Sequence, residues 1–320
     1  MFKEMVNILF STDDKYVMPL VVLMNSIGIN CKRKKHYYII VDESFAETSE
    51  KVVVKTASSY GDEVSFCKVT SELIGKIPFA NAEMPPGLSI ATYYRLFLTE
   101  LLPLDVHKVL YLDVDMIVRH SLDSLWDTDI NDYAIAAVPD MDEQSHIESN
   151  RLPYPMETGY FNAGMLLINV DYWRNHQLFS KFFDFVWKHR EILLAHDQDT
   201  LNCFFYNRKK ILPVTYNFQN GFIYRDAVFK DELGKDIERA KNNPAIVHYT
   251  CSKPWNLDCN NPMMYAWFYY KKKSLFSDAF LAKPVSIKMK VWYFIYRHNF
   301  YIHSIQKLPY NKYQKIILKK

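Results

Sequence analysis

Two carboxylates separated by one residue are the sharpest chemical signal in the sequence. Asp113 and Asp115 follow the apolar run at 109–112. Side chains alternate along an extended chain, so this spacing places both carboxylates on one side. Neighbouring anions repel unless a cation lies between them, and carboxylate oxygens suit Mg²⁺ or Mn²⁺ shared with substrate phosphates. The pair therefore indicates a divalent cation site; the alternative is that it only ends a strand and begins a turn.

His248 is a second candidate ligand, because it follows the apolar residues 245–247. Imidazole commonly binds Mn²⁺ and is an unusual ligand for Mg²⁺, so Asp113, Asp115 and His248 together favour Mn²⁺, with Mg²⁺ as the second choice. Lys253 lies five residues further on and could place an ammonium group against a diphosphate. Taken alone, a histidine in this position is more often structural than functional.

The elements that must position these groups alternate between strand-like and helix-like segments. Apolar and β-branched runs predict strands at 5–10, 36–41, 64–69, 107–112, 133–138, 160–170 and 245–249. Helices are predicted at 16–29, 46–59, 91–102 and 177–190. This alternation predicts an α/β fold with a largely parallel sheet, whose ligands bind beyond the carboxyl ends of the strands. The polar segment 140–158 contains two prolines and predicts a mobile loop over the site.

Composition excludes several classes of protein. The chain has 320 residues and 49% hydrophobic content, enough for a large core and against disorder. It has only 8 glycines and neither of the common glycine-rich phosphate loops. Its five cysteines form no C-x-x-C pair, which predicts reduced thiols. The first residues lack the apolar stretch of a signal peptide, so we expect a cytoplasmic protein.

Six segments, in this order, resemble glycosyltransferase family 8, the bacterial lipopolysaccharide galactosyl- and glucosyltransferase-like enzymes related to glycogenin. The segments are FSTDDKYVMPL (10–20), SIATYYRL (89–96), VLYLDVDMIV (109–118), YFNAGMLLINVDYWR (160–174), DQDTLN (197–202) and HYTCSKPWN (248–256). The resemblance implies a GT-A type fold, a UDP-sugar donor and an Mn²⁺ ion held against the UDP diphosphate. It also implies retention of the anomeric configuration.

The resemblance also implies roles for individual residues. Asp113, Asp115 and His248 would hold Mn²⁺, and Asp13, with Ser11 beside it, would bind uracil. Residues implied around the rest of the donor are Arg95, Val114 (through its backbone), Asn162 and Lys253. Residues implied around the reacting hexose are Asp140, Asn162, Asp197 and Gln198. The chain departs from the family at Lys15, at Cys251 and in the shorter spacing between His248 and Lys253.

A purely structural role is the alternative for several of these residues. Arg95 could pair with Glu100, Asn162 could be a core amide, and Asp197 with Asp199 could complement a helix dipole. The resemblance favours same-face attack at the hexose over a glycosyl ester on a carboxylate, without deciding between them.

The last fifty residues carry a separate signal. Residues 271–320 contain twelve Lys and Arg, one acidic residue and ten aromatic residues. Basic groups are attracted to an anionic membrane and Trp and Tyr favour its headgroup region. We therefore predict a catalytic domain at 1–272 and a basic, aromatic region at 273–320 that associates with the cytoplasmic face of a membrane. Single-stranded nucleic acid is a less favoured partner.

The predicted activity is transfer of galactose or glucose from a UDP-sugar to a saccharide acceptor, lipid-linked or at the cell surface. One alternative is a phosphatase of the haloacid-dehalogenase type, which also has two aspartates after a strand but needs a later G-D-x-x-x-D that this chain lacks. Another is a non-catalytic protein that binds a sugar nucleotide or nucleic acid. The donor hexose, the acceptor and the oligomeric state are left open.

Overall fold

The structure is a computed structural model that describes residues 4–78, 90–224, 232–256, 259 and 261–279. Ten strands are present there: β1 Val6–Ser11, β2 Lys35–Asp42, β3 Glu63–Val69, β4 Lys108–Leu112, β5 Met116–Val118, β6 Ile135–Pro139, β7 Phe161–Asn169, β8 Lys209–Ile211, β9 Phe218–Gln219 and β10 Ile246–His248. The first six helices are α1 Val17–Asn30, α2 Glu47–Ser58, α3 Ser71–Ile74, α4 Leu98–Leu101, α5 Asp123–Trp126 and α6 Glu143–Ser149. The others are α7 Val170–Asn175, α8 Leu178–His189, α9 His196–Phe205, α10 Asn220–Tyr224, α11 Glu232–Asn242 and α12 Met264–Lys272.

The chain forms two compact units. The first comprises 1–17, 33–114 and 123–212, and the second comprises 18–32, 115–122 and 213–320. These units are interleaved along the chain, whereas the sequence predicted a single division at 272/273. That division stays a prediction, because residues 280–320 lie outside the described ones. No helix in the described part of the chain combines the length and apolarity needed to cross a bilayer.

A seven-stranded sheet with the order β3-β2-β1-β4-β7-β6-β8 is the framework of the first unit. All its strands are parallel except β7, which runs antiparallel to both β4 and β6. The interior of β1, β4, β6 and β7 is almost fully buried, as expected for apolar strands covered on both faces. This confirms the predicted α/β fold with a mostly parallel sheet.

The sheet direction determines where polar residues gather. β4 ends at Leu112 and β6 at Pro139, so Asp113 and Asp140 both lie just beyond their carboxyl ends. Because β7 runs the opposite way, its second residue, Asn162, lies at the same edge and pairs with Val138. One edge of the sheet thus receives side chains from three strands, which agrees with the rule for ligand sites in α/β proteins.

The second unit has a smaller, three-stranded sheet with the order β5-β10-β9. β10 pairs antiparallel with β5 and parallel with β9, so that Val247 lies opposite Ile117 and Phe218. The predicted strand at 245–249 is therefore confirmed, but it belongs to this sheet and not to the large one.

Two local expectations were wrong. Residues 91–102 do not form one α-helix: a 3₁₀ segment, Ile90–Phe97, precedes the short α4. Residues 140–158 are not an irregular loop, because they contain α6 and the 3₁₀ turn Met156–Thr158. Polar composition and prolines suggested a loop, but tertiary contacts of this segment, described below, order it.

Candidate active site

An arginine buried in the first unit joins two of the predicted aspartates. The Arg95 guanidinium donates from Nη2 to Asp113 Oδ1 at 2.8 Å, and its Nε lies 3.0 Å from Asp197 Oδ2. It pairs with these aspartates and not with Glu100. The Tyr111 ring lies 4.2 Å from the guanidinium carbon, and its hydroxyl donates to Asp113. These side chains form what we call the arginine cluster: Thr92, Arg95, Tyr111, Asp113 and Asp197.

Electrostatics in the arginine cluster favour the charged arginine. Burial alone lowers the pKa of Arg95, but Asp113 and Asp197 together raise it above its ordinary value. Burial raises the pKa of the Asp197 carboxyl, and Arg95 and the Thr92 hydroxyl oppose that shift only in part. Thr92 Oγ1 donates to Asp197 Oδ1 at 2.7 Å, while Oδ2 makes the ion pair with Arg95.

Amides and carboxylates from three elements form a second group, the amide cluster: Asp140, Tyr160, Asn162, Gln198 and Asp199. Gln198, on α9, accepts a hydrogen bond from Ala163 N at 2.9 Å, and its amide nitrogen donates to Asp140 Oδ2 and to the Tyr160 hydroxyl, both at 3.2 Å. Asn162 also donates to Asp140 Oδ2, at 3.0 Å. The orientation of the Gln198 amide is therefore fixed at both ends.

Asp199 anchors the amide cluster through four hydrogen bonds. It is fully buried and accepts two hydrogen bonds from Arg151, at 2.6 and 2.7 Å. It also accepts the Tyr160 hydroxyl at 2.6 Å and Ala195 N at 2.7 Å. Burial, and then the charge on Asp199, raise the pKa of Tyr160 well above its usual range, so the hydroxyl keeps its proton. Both Asp197 and Asp199 lie in the first turn of α9, where the helix dipole favours negative charge.

The segment containing α6 is tied to the start of β7. The His146 ring stacks on Tyr160 with centroids 3.8 Å apart, and Glu143 accepts a hydrogen bond from Tyr160 N at 3.0 Å. Gly159 has φ +94°, and a Cβ there would come within 2.7 Å of the Glu143 carboxylate, so glycine permits this close approach. Together with Arg151, these contacts explain why residues 140–158 are ordered.

The second unit contains the imidazole cluster: Asp115, Asn217, His248 and Lys253. His248, at the end of β10, has Nε2 3.2 Å from Asp115 Oδ1 and Nδ1 2.9 Å from Asn217 Oδ1. Lys253 donates from Nζ to Asp115 Oδ2 and to Tyr249 O, the latter at 2.7 Å. Burial alone raises the pKa of the Asp115 carboxyl, but Lys253 and His248 lower it to a value below the usual range.

The two aspartates of the D-x-D motif lie in a turn between β4 and β5, so the expectation of an extended chain there was wrong. The predicted grouping nevertheless holds: Asp113, Asp115 and His248 each offer a ligand atom, and these atoms lie within 4.8 Å of one another. Asp115 Oδ1 is buried and accepts no hydrogen bond from the described residues. Two carboxylates and one imidazole suit Mn²⁺ or another divalent ion, so the residues fit a metal.

The remaining predicted residues have other contacts. The Ser11 hydroxyl donates to Ala91 O, and the Asp13 carboxylate accepts Lys15 N at 2.9 Å, where it caps the turn Asp14–Tyr16. Val114 is buried at the centre of the D-x-D turn. These contacts neither support nor oppose nucleotide binding.

Sequence reasoning missed six residues of this site: Thr92, Tyr111, Arg151, Tyr160, Asn217 and, as an anchor, Asp199. Arg151 and Asn217 contact their partners 48 and 31 residues away along the chain. A polar residue directly before a short strand, as Asn217 is before β9, was the available signal for one of them. No local sequence pattern indicated that Arg151 is the bidentate partner of Asp199.

An α/β sheet of this order with an Asp-x-Asp turn and a nearby histidine defines the class: a GT-A type glycosyltransferase. The family model described as glycosyl transferase family 8 matches residues 7–259. The chain therefore belongs to glycosyltransferase family 8, as the sequence predicted. Membership implies a nucleotide-sugar donor and a saccharide acceptor.

Relatives and solved structures agree with this assignment. A putative glycosyltransferase of Haemophilus influenzae is 30% identical over 81% of this chain and 75% of its own length. A lipopolysaccharide 1,2-glucosyltransferase of Escherichia coli is 28% identical over 79% of this chain and 74% of its own. The structure of the galactosyltransferase LgtC with donor and acceptor sugar analogs has a TM-score of 0.75 and 27% identity, covering 89% of this chain and 99% of that one.

Proposed function

We propose that the protein transfers a hexose, galactose or glucose, from a UDP-sugar to a saccharide acceptor and retains the anomeric configuration. The observation that carries the proposal is the grouping of the ligand atoms of Asp113, Asp115 and His248 in a chain of this family. Family membership also favours transfer over the phosphatase and the non-catalytic alternatives.

Mn²⁺ is the proposed metal, with Mg²⁺ as the second choice, and Asp113, Asp115 and His248 are its proposed ligands. When bound, such an ion stabilises the negative charge that develops on the departing diphosphate oxygen. The Lys253 ammonium donates a hydrogen bond to Asp115, one of the proposed metal ligands. We therefore propose that Lys253 also contacts the diphosphate. Asp13 and Ser11 remain the proposed contacts of the uridine, and Val114 a backbone contact.

The contacts around the proposed hexose site support same-face attack. A carboxylate that forms a glycosyl ester must present an oxygen lone pair to the anomeric carbon. Asp197 accepts the Thr92 hydroxyl on Oδ1, and its Oδ2 is ion-paired with the Arg95 guanidinium, whose positive charge lowers the nucleophilicity of this carboxylate. Asp140 accepts Asn162 and Gln198 on Oδ2 and Asp142 N on Oδ1. We therefore assign Asp140, Asp197 and Gln198 to orientation and charge stabilisation, with Asn162 and Arg95 fixing their geometry.

The acceptor is proposed to be lipid-linked, and the basic, aromatic region at 273–320 is proposed to bring the enzyme to the cytoplasmic face of an anionic membrane. This rests on composition alone. Flotation of the full chain and of a chain ending at 272 with anionic and neutral vesicles tests it. We expect only the full chain to float, and only with anionic vesicles; equal flotation of the two would contradict the membrane role.

The activity is tested by following UDP release from UDP-galactose and UDP-glucose with Mn²⁺, Mg²⁺ or a chelator. We expect release with a divalent ion only, and an α-configured product by NMR when the donor is α-linked. Asp115→Asn should reduce the rate roughly 1000-fold, about 4 kcal/mol of charge stabilisation. Asp105→Asn, the same change at an exposed aspartate before β4, is the matched control.

Release of UDP that is indifferent to chelation would contradict the metal. Phosphate release from a phosphomonoester, with no UDP release from either donor, would instead support the phosphatase. Binding of UDP-sugar without turnover under any of these conditions would support the non-catalytic alternative.

A further inference from the structure

Asn217 is a buried amide whose contact with His248 is unexplained by the proposed reaction. The side chain is fully buried and His248 is 3% exposed, so water competes little for their hydrogen bonds. Asn217 precedes β9, and β9 pairs in parallel with β10 so that His248 lies opposite Gln219. The register of this small sheet therefore fixes the 2.9 Å contact between Asn217 Oδ1 and His248 Nδ1.

An amide oxygen accepts hydrogen bonds and cannot donate one. The contact therefore requires a proton on Nδ1 of His248, and in the neutral imidazole the lone pair is then on Nε2. That atom lies 3.2 Å from Asp115 Oδ1. In this tautomer a lone pair of the imidazole and a carboxylate oxygen face each other, and a cation between them, either a proton or a metal ion, removes their repulsion.

We infer that Asn217 is a positioning residue: by accepting the Nδ1 proton it selects the tautomer in which His248 presents Nε2, beside Asp115, to a divalent cation. The inference rests on the metal of the proposed function and adds a residue that acts on that metal through His248. Partners of this kind orient the ring of a metal-binding histidine and raise its basicity as a ligand.

Mn²⁺ titration followed by electron paramagnetic resonance measures the effect without any turnover. Loss of such a partner typically weakens metal binding about 10- to 100-fold. We expect that loss in Asn217→Ala and near-normal binding in Asn217→Asp, which keeps an acceptor oxygen. Asn261→Ala is the matched control: Asn261 is 1% exposed and bonds to Asn220 and to Met263 N, so its loss should leave Mn²⁺ affinity unchanged.

Imidazole ¹⁵N chemical shifts of His248 in the metal-free protein give a second readout that a purely structural amide would not change. We expect the proton on Nδ1 in the wild type and a mixture of tautomers in Asn217→Ala. Circular dichroism shows whether each variant folds; if Asn217→Ala does not, Asn217→Asp and the wild-type shifts still test the inference.

The outcomes separate this inference from the proposed function. Equal Mn²⁺ affinity in the wild type and a folded Asn217→Ala overturns the inference alone, as does a wild-type ring whose Nδ1 carries no proton, since Asn217 would then donate its amide to Nδ1. A wild-type protein that takes up no Mn²⁺, with or without UDP, overturns the metal and this inference together.

Discussion

The amide cluster and the imidazole cluster differ in the partners that stabilise their buried carboxylates. In the amide cluster each buried carboxylate accepts several hydrogen bonds: Asp199 takes four, two of them from Arg151. In the imidazole cluster Asp115 is compensated by Lys253 on one oxygen, while its other oxygen faces the imidazole. The carboxylates of the first region are held by several donors each, whereas the charge on Asp115 is balanced by one lysine and the facing imidazole.

On the proposed function, this difference separates orientation of the sugar from supply of positive charge. Groups that orient a sugar must keep their geometry whether or not the donor is bound, because preorganised dipoles stabilise a transition state without rearranging. A cation site must instead satisfy its carboxylates in the absence of the ion, and the flexible ammonium of a lysine is suited to that temporary role. The two clusters should therefore respond differently to mutation and to metal.

The largest expected effect comes from Arg151→Met. It leaves the fully buried Asp199 without its charged partner, and breaking a buried ion pair from one side typically costs about 3–5 kcal/mol. We expect a loss of that size in the free energy of unfolding by urea denaturation, and no recovery on adding Mn²⁺ and UDP. Lys51→Met, in an exposed pair with Glu47, is the control and should change stability by less than about 1 kcal/mol.

Gln198→Ala should act on turnover. The amide is held by Ala163 N, Asp140 and Tyr160, and removing one preorganised polar group of this kind costs on the order of 100-fold in rate, about 2.7 kcal/mol. UDP release and Mn²⁺ affinity are measured on the same preparation. A variant that loses Mn²⁺ affinity along with rate would contradict the separation of the two clusters, and near-normal turnover would show that the hexose site is misassigned.

Lys253→Met tests whether the charge on Asp115 is exchangeable. Loss of this charged hydrogen bond should lower stability by about 2 kcal/mol. In contrast to Arg151→Met, we expect Mn²⁺ with UDP to restore most of it, because the ion takes over the compensation of Asp115. Thermal unfolding with and without the ion measures this; a variant that Mn²⁺ does not rescue would indicate that Lys253 is a fixed structural partner.

The parts of the molecule that follow from local pattern were predictable from sequence. The core strands β1, β2, β4 and β7 are continuous apolar runs, and the D-x-D pair, His248 and the segment around Gln198 were recognisable from the ordered family motifs. Strand alternation was the wrong reason for pairing Asp113 with Asp115, since a turn brings their carboxylates into one group. The residue types indicated the chemistry even though the assumed backbone was wrong.

Features that depend on contacts distant in sequence were not predictable. The ordering of 140–158 depends on Arg151 reaching Asp199 and on the stacking of His146 upon Tyr160, and polar composition carries no sign of either. The short strands β5, β8 and β9 have two or three residues each, too few to show a hydrophobic period. The contact of Asn217 with His248 depends on the pairing of β9 with β10, so it could not be predicted before the structure was known.

The smallest expected effect is a change in the rate at which cysteines are alkylated. Cys251 lies between His248 and Lys253, and Cys67 and Cys203 lie in the first unit. Cys251 is exposed, whereas burial raises the pKa of the Cys67 thiol to about 11 and that of Cys203 to about 12. At pH 8 a thiol of pKa 11 is ionised in roughly one molecule in a thousand, so iodoacetamide should modify Cys251 first and the other two only after unfolding.

The same reaction reports on the imidazole cluster. If the segment that carries Cys251 and Lys253 closes on a diphosphate, Mn²⁺ with UDP should slow the labelling of Cys251 by a few-fold, and Mn²⁺ alone should have a smaller effect. Peptide mass spectrometry of the labelled chain gives the rate at each cysteine, and Cys251→Ser identifies its peptide. Protection of Cys67 or Cys203 in place of Cys251 would contradict closure of this segment on the diphosphate.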